Sequence, residues 1–342
     1  MPVEISSDWG EPPEDNDETP QRYRFTSGAS FILDAADRPT AYWGRGDDVL
    51  AAEGESLLIA GPQGTGKSTL AQQLALGRCG FDEYAELLGY PVVPGLHRTL
   101  YLAMDRPRQI ARSFRRMVGE AWRDELDDRL TVWIGPPPRD LAKVPGLLAR
   151  MADDAGADTV VVDSTKDAAL GLSDDEVGGA WNRARQHTLA NGVQVVELHH
   201  NRKAINGAKR DRLTIDDVFG STWITSGAGS VVLLSGSAGD PIVGFHHVKQ
   251  PLAEVGPLQI FHDPGTGRTT VWQTADLVAL AAVSGNLSAL DAAKVLFETE
   301  KPSPAEKQKA RRRLDALTRN GSLRVVDEGD EAAAQPRLWG AS

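Results

Sequence analysis

The sequence has almost no cysteine and no long apolar run. Cys79 is the single cysteine among 342 residues, which excludes an intrachain disulfide and a cysteine-based zinc site. We expect Cys79 to be a small buried side chain in a helix. No apolar run approaches the ~18 residues of a membrane-spanning helix. The first residues have neither a basic start nor an apolar stretch, so we expect no signal peptide and a cytoplasmic location.

The charge is negative overall but unevenly distributed. The formal net charge is −11, which argues against a protein that coats DNA generally. Residues 1–20 contain seven acids and no base, whereas residues 301–324 contain eight bases and two acids. Residues 1–23 are acidic and rich in proline, so we predict a disordered tail. Such a tail either solvates the protein or mimics nucleic acid.

Short apolar runs alternate with helical patterns from residue 24 to 275, which predicts one large α/β domain. Runs rich in Val, Ile and Leu with helical crossovers indicate a parallel sheet covered on both faces. Later strands follow one another without helices, so we expect antiparallel hairpins at the far edge. The predicted strands cover residues 56–60, 98–103, 130–134, 159–163, 193–198, 230–235 and 242–248. The predicted helices cover residues 68–79, 107–118, 141–155 and 175–191.

Residues 276–342 have a different pattern and predict a second, smaller domain. Helical spacing recurs over residues 276–284, 288–298 and 304–320. Gly321 is placed to end the last helix, and residues 322–326 then resemble a strand. Three short helices followed by a hairpin predict a winged helix-turn-helix with a short tail.

A phosphate-binding loop follows the first strand of the large domain. The sequence fits G-x-x-x-x-G-K-[ST] in full, with a strand before it and a helix after it. Glycines let successive backbone N–H groups point at phosphate oxygens, the lysine adds a positive charge, and the serine hydroxyl is a Mg²⁺ ligand. The predicted nucleotide-binding residues are Gly61, Pro62, Gln63, Gly64, Thr65, Gly66, Lys67, Ser68 and Thr69.

Asp163 ends a run of buried-strand residues, which is the pattern of a Walker B strand. A carboxylate at the carboxyl end of a parallel strand lies beside the phosphate loop and can hold Mg²⁺. The alternative is an aspartate that caps the next turn. We predict Ser68 and Asp163 as metal ligands.

The order of P-loop, YLAMDRP, VVVDS, LHHNRK and VKQ resembles the hexameric RecA/DnaB-type ATPases. It is most similar to the plasmid RepA-like replicative helicase branch, and similar AAA-type proteins occur in actinobacteria and their phages. The resemblance covers about residues 40–262. It implies a RecA-like core, ATP and Mg²⁺ as ligands, and a homo-oligomer, most often a hexamer.

The same resemblance implies roles for two strand ends. Family members usually have Glu-Asp where this chain has Met104-Asp105, so Asp105 is the candidate that polarises the attacking water. The alternative is that Asp105 is the N-cap of the helix at Pro107. A polar residue after the next strand senses the γ-phosphate, and the candidates are His200 first, then His199 and Asn201.

Lys249 matches the late lysine that family members insert into a neighbouring subunit. A second family position usually holds arginine, but residues 227–230 contain none. The resemblance therefore implies Lys249 as a finger acting in trans, and the alternative is a solvated surface lysine.

Two basic segments are candidate DNA-binding sites. One is the polar segment after the sensor strand, where RecA-like motors grip single-stranded DNA in a central channel, and its basic residues are Arg202, Lys203, Lys209, Arg210 and Arg212. The other is the third helix of the predicted winged helix, which can contact duplex DNA through Lys309, Arg312 and Arg313. The alternatives are a solvated charged loop and a winged helix that contacts protein.

Three functions are compatible with these features. The leading hypothesis is an ATP-hydrolysing DNA motor, either a helicase or a translocase. The second is a DNA-binding regulator switched by ATP with little turnover, which the shorter acid and the missing arginine favour. The third is a strand-exchange recombinase, which ranks last because no segment for filament formation is evident.

Overall fold

The computed structural model describes residues 25–201, 213–273, 277–297, 299–319, 321–329 and 335–341. The predicted tail, residues 1–23, lies outside this range. The chain divides into two compact units at Arg38 and Pro39. In the first unit, helix α1 (Gly28–Leu33) has exposed apolar side chains. None of the helices in the described ranges is both long and apolar enough to cross a membrane.

The second unit is built on a large sheet with helices on its faces. Its first elements in chain order are β1 (Ala41–Arg45), β2 (Asp48–Ala52), β3 (Leu57–Gly61), α2 (Lys67–Arg78), β4 (Glu86–Leu87), β5 (Tyr90–Pro91), β6 (Arg98–Ala103), α3 (Pro107–Arg115), α4 (Arg123–Arg129), β7 (Leu130–Ile134), α5 (Leu147–Asp154), β8 (Ala157–Asp163), α6 (Thr165–Ala168), α7 (Asp175–Ala190) and β9 (Gln194–His200). The later elements are α8 (Thr222–Ser226), β10 (Ser230–Ser235), β11 (Ile242–Lys249), β12 (Leu258–His262), β13 (Thr269–Gln273), α9 (Leu277–Ser284), β14 (Leu287–Ser288), α10 (Ala289–Leu296), α11 (Pro304–Arg319), β15 (Leu323–Asp327) and β16 (Leu338–Ala341).

The large sheet has the strand order β13-β12-β11-β10-β3-β9-β8-β6-β7. The strands from β10 to β7 run parallel, and β11, β12 and β13 are antiparallel. Both predictions, the parallel sheet and the antiparallel edge, are confirmed. Strand β9 lies between β3 and β8, so the carboxyl ends of these three strands meet at one edge.

The central strands are apolar because helices cover both of their faces. All five residues of β3 are buried, and Leu57, Leu58 and Ile59 have no exposed surface. Successive side chains of a strand point to opposite faces. Accordingly, Leu57 and Ile59 belong to one apolar cluster and Leu58 to another on the other side of the sheet. Because β3 is packed on both faces, the position of the loop that follows it is fixed relative to the sheet.

Most predicted elements agree with the structure within two residues, but α5 begins six residues later than predicted. Pro145 precedes this helix, and a proline disfavours the helical conformation in the residue before it. Gly146 is the N-cap residue, and α5 starts at Leu147. Helix α3 also ends three residues earlier than predicted, at Arg115.

The C-terminal elements form a separate apolar cluster inside the second unit. Strands β14, β16 and β15 make an antiparallel sheet in that order. Helix α10 starts with a capping box in which the Ser288 hydroxyl and the Asp291 carboxylate bond to each other's backbone N–H groups. Leu314 and Trp339 are buried at the centre of the cluster. The three helices and the first hairpin strand lie where the sequence predicted them.

Candidate functional site

The loop between β3 and α2 ends in a helix N-terminus without a side-chain cap. Gly66 is the N-cap residue of α2, and its φ of 84° lies in the left-handed region. Gly64 has a φ of 79°, which glycine adopts without the steric cost that other residues incur. The free N–H groups and the dipole of such a helix end bind anions. The P-loop predicted from the motif therefore has the backbone that phosphate binding needs.

The antiparallel part of the sheet lies against this loop. The Gly239 N–H donates to the Gly64 carbonyl at 3.1 Å. His262 Nε2 donates to the Thr65 carbonyl at 3.2 Å. A Cβ atom on Gly66 would lie 2.1 Å from His262 Nε2. Glycine is thus required at position 66 for space as well as for backbone conformation.

Lys67 is buried and is held by its own loop. Its Nζ donates to the carbonyls of Gly61 at 2.9 Å and Pro62 at 2.7 Å. Burial lowers the pKa of Lys67 to about 8, and the nearby Asp163 carboxylate acts in the opposite direction. Nucleotide binding would exchange these carbonyls for phosphate oxygens.

Asp163 is the last residue of β8 and is buried beside Lys67. The Tyr101 hydroxyl donates to Asp163 Oδ2 at 2.7 Å. Burial raises the pKa of Asp163, whereas hydrogen bonds from Tyr101 and Ser68 and the charge of Lys67 oppose that rise. Ser68 and Asp163 therefore offer neighbouring hard oxygen atoms, which is the donor chemistry that Mg²⁺ prefers. The two residues fit the predicted metal site.

Asp105 and Arg106 follow β6 at the same edge of the sheet. Ala103, the last residue of β6, pairs with Asp163, the last residue of β8. Asp105 follows Ala103 by two residues, so it lies just past the carboxyl end of the sheet. The Asp105 side chain is exposed and lines the same cleft as the P-loop. The N-cap residue of α3 is Arg106, with no side-chain cap bond. The alternative of Asp105 as the N-cap was therefore wrong.

The end of β9 separates the three sensor candidates. His200 pairs with Gly61 in register, and both His200 and Asn201 line the cleft. His199 is buried instead, and its Nε2 bonds the Phe219 carbonyl at 2.7 Å. Burial, Lys67 and Lys166 lower the pKa of His200. His200 and Asn201 thus line the cleft, whereas the buried His199 lies outside it, and the sensor role stays a prediction.

Comparison with known proteins identifies the family. The family described as AAA domain matches residues 19–206, which are 188 of 342 residues and therefore more than half of the chain. The chain belongs to the AAA domain family. No curated protein matches it. The sheet order and the P-loop between β3 and α2 make the core of this AAA protein a P-loop domain of mixed α/β class.

Solved structures with some similarity include an ATPase domain and a KaiC-like protein. The ATPase domain is 12% identical, with a TM-score of 0.48, and the match covers 64% of this chain and 85% of that one. The KaiC-like protein PH0186 from the archaeon Pyrococcus horikoshii OT3 is 18% identical, with a TM-score of 0.45. That match covers 69% of this chain and 99% of the other.

Lys249 of the AAA protein lies away from the P-loop of its own chain. Lys249 on β11 pairs with Val231 on β10, and Val231 pairs in turn with Leu58 on β3. Leu58 precedes Gly61, the first residue of the P-loop, by three residues. The offset is about 10 Å along the strands, and β11 lies two strands from β3, another ~10 Å. Lys249 Nζ donates instead to the Thr225 and Ser226 carbonyls of α8, at 3.1 and 2.9 Å. Lys249 therefore does not contact the P-loop of its own chain.

A buried polar cluster supports this opposite edge. Glu197, on β9, accepts hydrogen bonds from Arg185 and from Trp181 Nε1, the latter at 2.8 Å. Arg185 Nη2 also donates to the Ile224 carbonyl in α8, at 2.9 Å. Arg185 and Glu197 have no exposed surface. The pair thus connects β9 to the short helix α8, against which Lys249 rests.

Sequence reasoning missed several cations and one hydroxyl group in the AAA site. The cleft around the P-loop has a volume of about 1420 Å³ and is also lined by Arg106, Arg112, Arg115, Arg116 and Lys166. Arg112, Arg115 and Arg116 have the i, i+3 and i+4 spacing that places side chains on one face of a helix. This spacing predicts a basic face on α3. Tyr101 gave no such local signal, because its contact with Asp163 depends on the pairing of β6 with β8.

The predicted DNA-binding residues fall into two groups. Arg202, Lys203, Lys209, Arg210 and Arg212 lie outside the described residues. On α11, the largely buried Lys309 forms an ion pair with Glu254, which lies between β11 and β12. Arg313 contacts Tyr90 of β5, and Arg312 is exposed. Two of the three predicted contact residues on α11 thus face the core in this structure.

Proposed function

We propose that this AAA protein is an ATP-hydrolysing motor that binds DNA, of the replicative helicase or translocase type. One observation supports the proposal most. Strand β9 places His200 beside the P-loop and then continues into the basic segment 202–212. The end of β9 is bound to residues further along the chain, because Asn201 forms a β-bridge with Val218 and the Phe219 N–H donates to the His200 carbonyl at 3.0 Å. A shift of His200 on loss of the γ-phosphate would move Asn201 together with Val218 and Phe219.

The reaction is in-line attack of water on the γ-phosphorus of ATP. The new bond joins the water oxygen to phosphorus, and the β–γ bridging bond breaks with its electron pair going to the ADP oxygen. Asp105 orients the water and accepts its proton. Lys67 leaves its two loop carbonyls and contacts the β- and γ-phosphates.

Ser68 and Asp163 are the residues that would hold Mg²⁺. The ion, when bound, would neutralise part of the phosphate charge. Tyr101 keeps the Asp163 carboxylate in one orientation through its hydroxyl bond. Hydrogen bonds of this kind orient the carboxylates that bind metal ions in proteins.

The active form in this proposal is a homo-oligomer, most simply a hexameric ring. Lys249 is too far from its own P-loop to serve it, so the neighbouring subunit receives this charge. The C-terminal elements, in the order α9-β14-α10-α11-β15-β16, form a winged helix in this proposal. Its exposed Arg311 and Arg312 contact duplex DNA, whereas the basic segment 202–212 contacts the single strand in the channel.

The test is ATP turnover with and without single-stranded DNA. We expect DNA to stimulate turnover, and we expect Lys67→Ala to abolish both ATP binding and turnover, because no other side chain replaces the charge inside the loop. Mass measurement with a non-hydrolysable ATP analogue gives the subunit number. ATP-dependent DNA binding with negligible hydrolysis would instead support the regulator hypothesis, and a chain that never binds ATP would exclude both.

A further inference from the structure

Arg106 has an unusual backbone at a position that faces the nucleotide cleft. Its φ is 52° and its ψ is 57°, which is the left-handed region. Within the described ranges, Arg106 and Leu88 are the only residues other than glycine with a positive φ. The residue before a proline is normally extended, so the proline at position 107 does not by itself account for this conformation. Strained backbone of this kind occurs at sites where a side chain must be held in one direction.

Arg106 lies at the carboxyl end of β6, on the edge of the cleft that also holds Asp163. It follows Asp105 directly after β6, and β6 pairs with the strand that ends in Asp163. The charges of Asp105 and Lys67 both act on the pKa of His200, so these groups face a common space. Arg112, Arg115 and Arg116 lie six to ten residues further along α3, about 9–15 Å away. Among the arginines that line the cleft, Arg106 is the one that directly follows Asp105 at the end of β6.

The guanidinium of Arg106 is available for a ligand. In the structure its ion pair is with Asp105, at 3.7 Å, and both side chains are 60% exposed. Exposed pairs of this length are weak. Lys67 is the single lysine of the P-loop, and Lys249 of the same chain rests against α8. Arg106 adds a cation on the Asp105 side of the cleft.

We propose that Arg106 is a catalytic residue that acts in cis, with its guanidinium on the γ-phosphate of ATP bound to the same chain. This inference rests on the proposed ATP hydrolysis. As water adds to the γ-phosphorus and the bridging bond breaks toward ADP, Arg106 stabilises the negative charge on the transferred group. Its move from Asp105 to phosphate also frees that carboxylate to accept the proton of the water.

Four variants of the full-length protein test the assignment. Arg106→Ala is expected to lower kcat by about 10³-fold, the lower end of the range for an arginine on the transferred phosphate. Arg106→Gly should lose as much activity while its Tm is not lowered, because glycine relieves the backbone conformation. Arg106→Lys should restore part of the rate. Arg108→Ala is the matched control, since Arg108 is exposed on the same helix and outside the cleft.

Binding measurements separate a phosphate contact from a structural role. Loss of a charged hydrogen bond to the γ-phosphate should reduce the preference for a non-hydrolysable ATP analogue over ADP by about tenfold or more. A purely structural residue would weaken both ligands equally. Equal weakening, or an unchanged kcat in Arg106→Ala, would overturn the proposal.

Subunit mixing decides between cis and trans action. Arg106→Ala subunits are mixed with Lys67→Ala subunits, and co-purification through a tag on one of them verifies mixed oligomers. If Arg106 acts in cis, no subunit has a complete site and turnover stays absent. Recovered turnover would mean that the arginine serves a neighbour and would refute the assignment. Wild-type protein without ATP binding would instead remove the proposed function itself, which distinguishes the two failures.

Discussion

The two ends of the central parallel strands differ in what holds their charged groups. At the carboxyl ends, Lys67, Asp105 and Arg106 are bound by carbonyls or by weak pairs that a nucleotide can replace. At the amino ends, Lys249 rests on the end of α8, which the fully buried Arg185–Glu197 pair holds in place. In the proposed oligomer, the first end binds a ligand within one chain, whereas the second presents Lys249 to the neighbouring chain. The same residue types thus acquire different roles from their surroundings.

Among the variants that test this difference between the two ends, Lys249→Ala should have the largest effect on turnover. We expect turnover of the assembled protein to fall by about 10³-fold, because a finger in trans contributes only to the transition state. The Kd for ATP should stay the same. Steady-state turnover and ligand titration measure the two quantities, and the exposed Lys143→Ala is the control. A large loss of ATP affinity would contradict the separation of the two ends.

The pH dependence of ATP binding should reflect Lys67. Its pKa of about 8 in the free protein is lower than the usual 10.5, so the amine is increasingly neutral above pH 8. Phosphate favours the charged form, and binding must therefore take up a proton above that pH. The titration of Lys67 should leave the Kd for ATP constant below pH 8. Above pH 8 it should raise this Kd by up to about tenfold per pH unit.

Calorimetry in buffers of different ionisation enthalpy detects this proton uptake. Lys67→Arg remains charged throughout the range and should show no such uptake above pH 8. If wild-type protein and this variant have the same pH profile, another group is responsible and the burial of Lys67 does not control binding.

Tyr101→Phe is expected to have a smaller effect. It removes one hydrogen bond to Asp163, worth about 1 kcal/mol, or about fivefold in an equilibrium constant. The dependence of turnover on Mg²⁺ concentration should shift by about this factor, since the carboxylate loses its fixed orientation. Tyr84→Phe provides a control, because that hydroxyl bonds the Met117 carbonyl outside the cleft. An equal shift in both variants would show a general loss of stability.

Local patterns were sufficient to predict the P-loop, Asp163 and the parallel strands. These depend on residues adjacent in sequence, such as the glycines around Lys67 and the apolar run before Asp163. The role of Arg106 could not be predicted in this way, because a left-handed residue before Pro107 contradicts the usual preference. The contact of Lys309 with Glu254 was also missed, since it joins elements 55 residues apart. Contacts between residues distant in sequence and the local backbone conformation decide these two features, and neither can be read from residue type.

His262 connects the antiparallel strands to the P-loop. Its ring fills the space above Gly66 and bonds the loop at Thr65, while its other nitrogen bonds Thr269 on β13 at 2.8 Å. We expect a change in the curvature of the loop to move this ring and, with it, the hairpin of β12 and β13. Because β13 is the edge strand of the sheet, such a movement would reach the outer surface of the protein.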